Sequence, residues 1–296
     1  MIGALITTFS FALTAVFANR AAQMLGSTRA NLARLAVATV ALGLWAHLAG
    51  RGFGGPAVVW FFAGGLAGFG VGGLAMFQAL PRLGSSLSML IVQCGSAIGA
   101  AALEWGWLGT RLSPVQILCG ALTLAGVGIG LLPRSLPRIL PAEWRPGLAW
   151  AVLSAAGQGT GAVLSRKGFA VTRALHEGID PGSAAYQRAL AGLLFAAVAY
   201  AIIRHRPCRT ARRSEGAWPW VLANALTGPI LGVVCYQWAL STTPAGIVQP
   251  IVAASPLVTI PFAAQLERTW PRPLYFAGAV LAVAGVTGLL LCGPPR

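Results

Sequence analysis

The sequence predicts an all-α polytopic membrane protein, with ten transmembrane helices arranged as two inverted five-helix repeats. Three observations carry that prediction. Of 296 residues, 56% are hydrophobic and only 9% are charged, against about 25% charged in soluble domains, so the charged side chains are too few to cover a soluble protein of this length. The apolar residues gather into ten runs, each close to the roughly 20 residues a helix needs to cross a bilayer. The second five runs repeat features of the first five in the same order.

Taken along the chain, the runs are 2–19, 30–50, 57–80, 86–109, 113–132, 147–165, 184–203, 217–240, 246–266 and 274–292. They are continuous and not alternating, which argues against barrel strands. The first run contains Val16-Phe17-Ala18, which resembles a secretory cleavage site, but it lacks the basic leader of a signal peptide and the repeat requires it as a helix. It is therefore taken as the first span. Connectors are short and rich in Arg, Pro and Gly. Only 133–146, 166–183 and 204–216 have any length, and no soluble domain fits in them. The expected organisation is a first repeat over 1–132, a linker over 133–146 and a second repeat over 147–296.

The repeat is visible at three places. Arg34-Leu35-Ala36 opens the second run as Arg188-Ala189-Leu190 opens the seventh. The third run ends with Met76-Phe77-Gln78-Ala79-Leu80 and the eighth with Tyr236-Gln237-Trp238-Ala239-Leu240. Gly120 and Ala125-Gly126-Val127 in the fifth correspond to Gly278 and Ala284-Gly285-Val286 in the tenth. An odd number of spans per half forces the halves into opposite orientations. That arrangement puts a pseudo-two-fold axis in the membrane plane and a cavity near the midplane, as in many secondary transporters.

With Glu267-Arg268 and Pro271 closing the ninth run, these features make the chain resemble the EamA-type members of the drug/metabolite transporter superfamily over nearly its whole length. The resemblance implies a carrier of small organic metabolites such as amino acids, an exporter in the inner membrane of a bacterium, with spans three, four, eight and nine lining its cavity. One departure stands out. The first-half counterpart of Glu267-Arg268 is Thr110-Arg111, and the nearest acid is Glu104. Orientation is a point of conflict. The family is usually drawn with both termini in the cytoplasm, whereas the connectors after the odd-numbered spans hold more arginine than those on the terminal side, which favours termini outside.

The net charge of +15 comes from 21 basic and 6 acidic residues. The arginines are scattered between apolar runs and form no stripe with stacking aromatics, so lipid head groups are the expected partner and nucleic acid is not. Cys94, Cys119, Cys208, Cys235 and Cys292 lie far apart with no histidine at ligand spacing, so no metal or cofactor is expected. There is no phosphate-binding loop for ATP. His47 is the only histidine within a run and has no acid or thiol partner at useful spacing, so no enzyme is expected.

Polar side chains within spans are costly in lipid and should face the interior. Gln93, Ser96 and Glu104 share one face of the fourth run, and the depth of Glu104 makes it the candidate for proton or cation coupling. Ser255 and Thr259 lie beside Pro256, which frees a backbone carbonyl and can kink the span. Gln78, Tyr236 and Trp238 stand at matched positions of spans three and eight, and Asn19 and Gln158 add neutral hydrogen-bonding groups. These are the expected substrate ligands. Arg20 and Arg166 at the far ends of spans one and six, with Pro256, Glu267 and Arg268, are expected to hold or gate the structure. The competing expectation is a carrier of a lipid-linked or anionic phosphate intermediate.

Overall fold

Hydrophobic runs become helical spans in the computed structural model, which describes residues 1–132, 141–203, 216–267 and 273–293. We number the spans α1 (Ile2–Leu25), α2 (Ser27–Ala49), α3 (Val58–Leu83), α4 (Ser85–Leu108), α5 (Pro114–Leu131), α6 (Pro141–Ala174), α7 (Pro181–Ile203), α8 (Trp218–Thr242), α9 (Ala245–Ala253 followed by Ser255–Glu267) and α10 (Pro273–Cys292). No strand occurs among the described residues. Single glycines with positive φ, Gly26 at 82° and Gly84 at 79°, link α1 to α2 and α3 to α4. Such φ values are ones that only glycine adopts readily. A capping box starts α5, in which the Gln116 N–H donates to Ser113 Oγ and the Ser113 N–H to Gln116 Oε1, satisfying two orphan helix donors.

Several helices run past the ends of their apolar runs, and in three of them this changes the assignment of key arginines. Helix α6 runs on to Ala174, so Arg166 lies inside it and not at its end. Helices α2 and α7 begin at Ser27 and Pro181, so Arg34 and Arg188 lie two turns inside their spans.

Helices α3 and α8 share an irregularity. Each passes through a seven-residue π-type stretch, Leu66–Gly72 and Leu226–Gly232, a wider winding that often marks functional sites. The last carbonyl of each stretch accepts a hydroxyl from the first helix of the other half: Ser154 Oγ donates to Gly72 O at 2.8 Å and Thr7 Oγ1 to Gly232 O at 3.2 Å. The exchange is general. Helix α1 packs chiefly on α8 and α9, and α6 on α3 and α4.

Helices α5 and α10 form a separate pair at the edge of the bundle. Gly126, Gly278 and Gly285 bring the two backbones together: a Cβ on Gly126 would press on the backbone nitrogen of Ala282 and lie 2.6 Å from Gly278 O. Small residues permit this approach where lipid offers no hydrophobic drive for association. The largest apolar cluster, with Phe61, Leu240, Ile247 and Ile251 fully buried, lies toward the face where α1 starts. There the Phe61 and Phe169 rings meet edge to face at 4.9 Å.

Candidate functional site: a midplane cavity between the halves

A cavity of about 280 Å³ lies at mid-span between the two halves. Its walls obey the repeat. From α3 come Gly68, Phe69, Gly73 and Met76, and from α8 the equivalents Gly228, Pro229, Val233 and Tyr236. The π-type stretches therefore deliver the same four positions of each span to one space. Phe11 and Thr14 of α1, Gln158 of α6, Met89 and Gln93 of α4, and Gln249, Val252 and Ser255 of α9 complete most of the lining, together with Arg34 and Arg188.

Hydrogen bonds fix several of these groups. Gln93 Nε2 donates to Ser255 Oγ at 3.3 Å, tying α4 to α9 across the cavity wall. Thr14 and Thr227 hydroxyls pair at 2.9 Å. Gln158 Nε2 reaches Ser154 Oγ at 3.4 Å, and the Phe11 and Tyr236 rings lie 6.4 Å apart. A larger cavity of about 630 Å³ lies between α1, α9 and α10. It is almost wholly apolar, so it lacks the convergent polar groups that mark a solute site. The smaller one is the candidate.

The candidate substrate ligands divide into two groups. Gln93, Gln158, Tyr236 and Ser255 line the cavity. Ser96 is buried just behind Gln93 and donates to its carbonyl at 3.0 Å, and Thr259 donates to Ala12 O and Ser255 O. Neither lines the cavity. Gln78 instead accepts from Arg82 at 2.9 Å, Trp238 is 45% exposed on the outer surface, and Asn19 is exposed and accepts from Gln23. The reason for the miss at Gln78 and Trp238 is geometric. They stand two residues beyond Met76 and Tyr236, about 200° around the helix.

Glu104 is not in the cavity either. Its carboxylate accepts from Arg166 Nε and from the Gly246 N–H, both at 3.0 Å, while Arg166 Nη1 donates to Leu240 O at 2.8 Å. The acid caps the start of α9 and the guanidinium caps the end of α8, each with the sign the helix dipole favours. The pair thus clamps the α8–α9 connection onto α4 and α6. Arg20 is exposed. Pro256 is buried in the first turn of the second segment of α9, just after the break at Ala254. Glu267 is the last residue of that segment, and Arg268 falls outside the described residues.

Sequence reasoning overlooked Arg34 and Arg188 as lining residues, although the repeat pairs them. Reading them as the openings of their runs, at the membrane surface, hid that signal.

Two inverted five-helix halves enclosing a polar-aromatic midplane cavity define the class of transporters with internal repeats. The model of the EamA-like transporter family matches residues 1–131 and again 145–291, and the chain belongs to that family. A solved crystal structure is similar over 98% of this chain and 96% of its own, with a TM-score of 0.77 at 18% identity, a likeness of fold. No curated protein matches the sequence.

Proposed function

We propose that the protein is a secondary transporter of small organic metabolites that binds its solute in the midplane cavity and exposes it to alternate faces. The observation that carries this reading is the two-fold wall, in which equivalent positions of α3 and α8 meet in one cavity. Symmetry of that kind lets each half play in one state the part the other plays in the opposite state. Amino acids and related amphipathic compounds fit a lining of amides, hydroxyls and aromatic rings. We read Glu104 and Arg166 as a latch holding the α8–α9 connection closed on the face where α1 starts, with any coupling ion acting through that latch. Export across the cytoplasmic membrane of a bacterium is part of the same reading.

The test is counterflow in proteoliposomes of purified protein, loaded in turn with labelled amino acids and organic acids. Protein-dependent exchange of at least one class supports the proposal, and exchange no faster than in protein-free vesicles overturns it. A second reading, a carrier of a lipid-linked or anionic phosphate, draws on the apolar groove of about 630 Å³ beside α1, α9 and α10. Movement of a fluorescent lipid phosphate without any small-solute flux would select it.

A further inference from the structure

We propose that the cavity takes a small organic anion and that Arg188 binds its carboxylate. This deepens the transport reading and rests on it only in placing the solute in the midplane cavity. Arg188 is 4% exposed and lies on the cavity wall. Both of its hydrogen bonds leave from Nη1, to Gly161 O at 2.5 Å and to Ser165 Oγ. Nε has no partner, and Nη2 lies beside Gly68, where an added Cβ would come within 3.2 Å of it, Gly68 being part of the wall. The edge formed by Nε and Nη2 is therefore unspent, and it is an edge whose parallel N–H groups match the two oxygens of a carboxylate.

What this cation lacks is a counter-charge. Among the described residues the ion pairs join Arg51 to Glu177, Arg82 to Glu143 and Arg166 to Glu104, and Asp180 is held by Ser183 at the start of α7. None reaches Arg188. Arg34 enters the same cavity and donates from Nε to Asn31, a neutral amide. Two guanidiniums, which stay protonated in proteins, thus face one cavity that no described acid lines. A buried charge is costly unless paired, so an arriving anion supplies the missing partner. A cationic ammonium would find only amides and hydroxyls.

The remainder of the wall describes the rest of the ligand. The Phe69 ring lies 5.5 Å from Arg188 Cζ, and Phe11, Met76 and Tyr236 add apolar surface. A volume of about 280 Å³ admits a small molecule only, near the lower end of ligand-site sizes. The class is a monocarboxylate with an aromatic or branched apolar body.

Binding to the full chain in nanodiscs, read by tryptophan fluorescence, tests the assignment with 3-phenylpropionate, its isosteric amide 3-phenylpropionamide, phenylalaninamide and phenyl phosphate. The acid should bind at least tenfold more tightly than either amide. Arg188→Gln should lose at least tenfold for the acid while leaving 3-phenylpropionamide unchanged, and Arg188→Lys should recover part of the loss. Equal binding of acid and amides, no binding of the acid, tighter binding of the phosphate, or an unchanged affinity in Arg188→Gln would each overturn the proposal. If Arg188→Gln does not fold, the comparison of acid with amide on the wild-type protein decides alone. Acid binding through Arg188 without flux in proteoliposomes would sink the transport reading and leave this one standing. Protein-dependent flux of neutral or cationic solutes with no preference for acids would do the reverse.

Discussion

Arg34 and Arg188 are each the eighth residue of their helices, counted from Ser27 and Pro181, and they enter one cavity from opposite faces of the membrane. The relationship follows from inversion of the repeat: α2 and α7 run in opposite directions, so equal depth along each brings the two guanidiniums into one cavity from opposite sides. Their environments differ. Arg188 is anchored on α6 through Gly161 and Ser165, whereas Arg34 is held by Asn31 within its own helix. The two halves are thus equivalent in position and unequal in chemistry.

Glu104 and Arg166 should behave as one energetic unit. Their side chains are 2% and 15% exposed, and removing one partner of such a buried pair costs about 3–5 kcal/mol. Glu104→Gln and Arg166→Met should each lower thermal stability strongly in detergent, while the double variant loses less than the sum. Additive losses would show that the latch is not a unit.

Gly126→Ala should destabilise by about 1–3 kcal/mol, the cost of forcing extra volume into a packed contact, because the new Cβ meets the α10 backbone. Gly106→Ala in α4 meets nothing within 4 Å and should be neutral or stabilising by about 0.5–1 kcal/mol from helix propensity. Comparison of melting temperatures checks the pair. Equal effects would refute close packing of α5 on α10.

Gly73→Met should separate function from folding. A Cβ on Gly73 meets nothing within 4 Å, and the residue lines the cavity, so a longer side chain fills solute space at little cost to packing. Counterflow should fall at least tenfold with the melting temperature nearly unchanged. Undiminished transport would move the solute path elsewhere.

Asp180 predicts a pH dependence. Burial pushes its carboxyl up, but the Ser183 hydroxyl and N–H, Trp45 Nε1 and the Arg51 N–H outweigh that and hold it below the ordinary value. A depressed folded value means that the stabilisation is complete above the unfolded value of about 3.9 and is lost as pH falls through the folded one. Asp180→Asn keeps the helix cap and removes the charge. Wild type should therefore exceed it in stability at pH 6, with the gap closing as pH falls below the unfolded value and through the folded one. A gap independent of pH would exclude the carboxylate as its source.

Much of this architecture was legible in the residues. Ten apolar runs, and Gly126 matched to Gly285, specify spans and a repeat because lipid imposes length and internal hydrogen bonding on every crossing. The site was harder to read. Met76 and Tyr236 face the cavity while Gln78 and Trp238 turn away, and only the rotation of each helix separates those pairs. That rotation is set by the π-type stretches before them, which composition does not announce. Arg34 and Arg188 look like membrane-surface residues because each stands near the start of its apolar run. Glu104 lies about one turn from the end of α4, nearer the membrane face than its spacing implied, and its partner Arg166 lay beyond the apparent end of α6.

The crossed hydroxyl contacts of Thr7 on Gly232 and Ser154 on Gly72 bear on biogenesis. Helix α1 finds its main packing partners only after more than 200 further residues have been synthesised. Until then it must wait in lipid, or beside the insertion machinery, without its neighbours. The two halves should for the same reason fail when produced singly, yet recover activity when made together as separate chains.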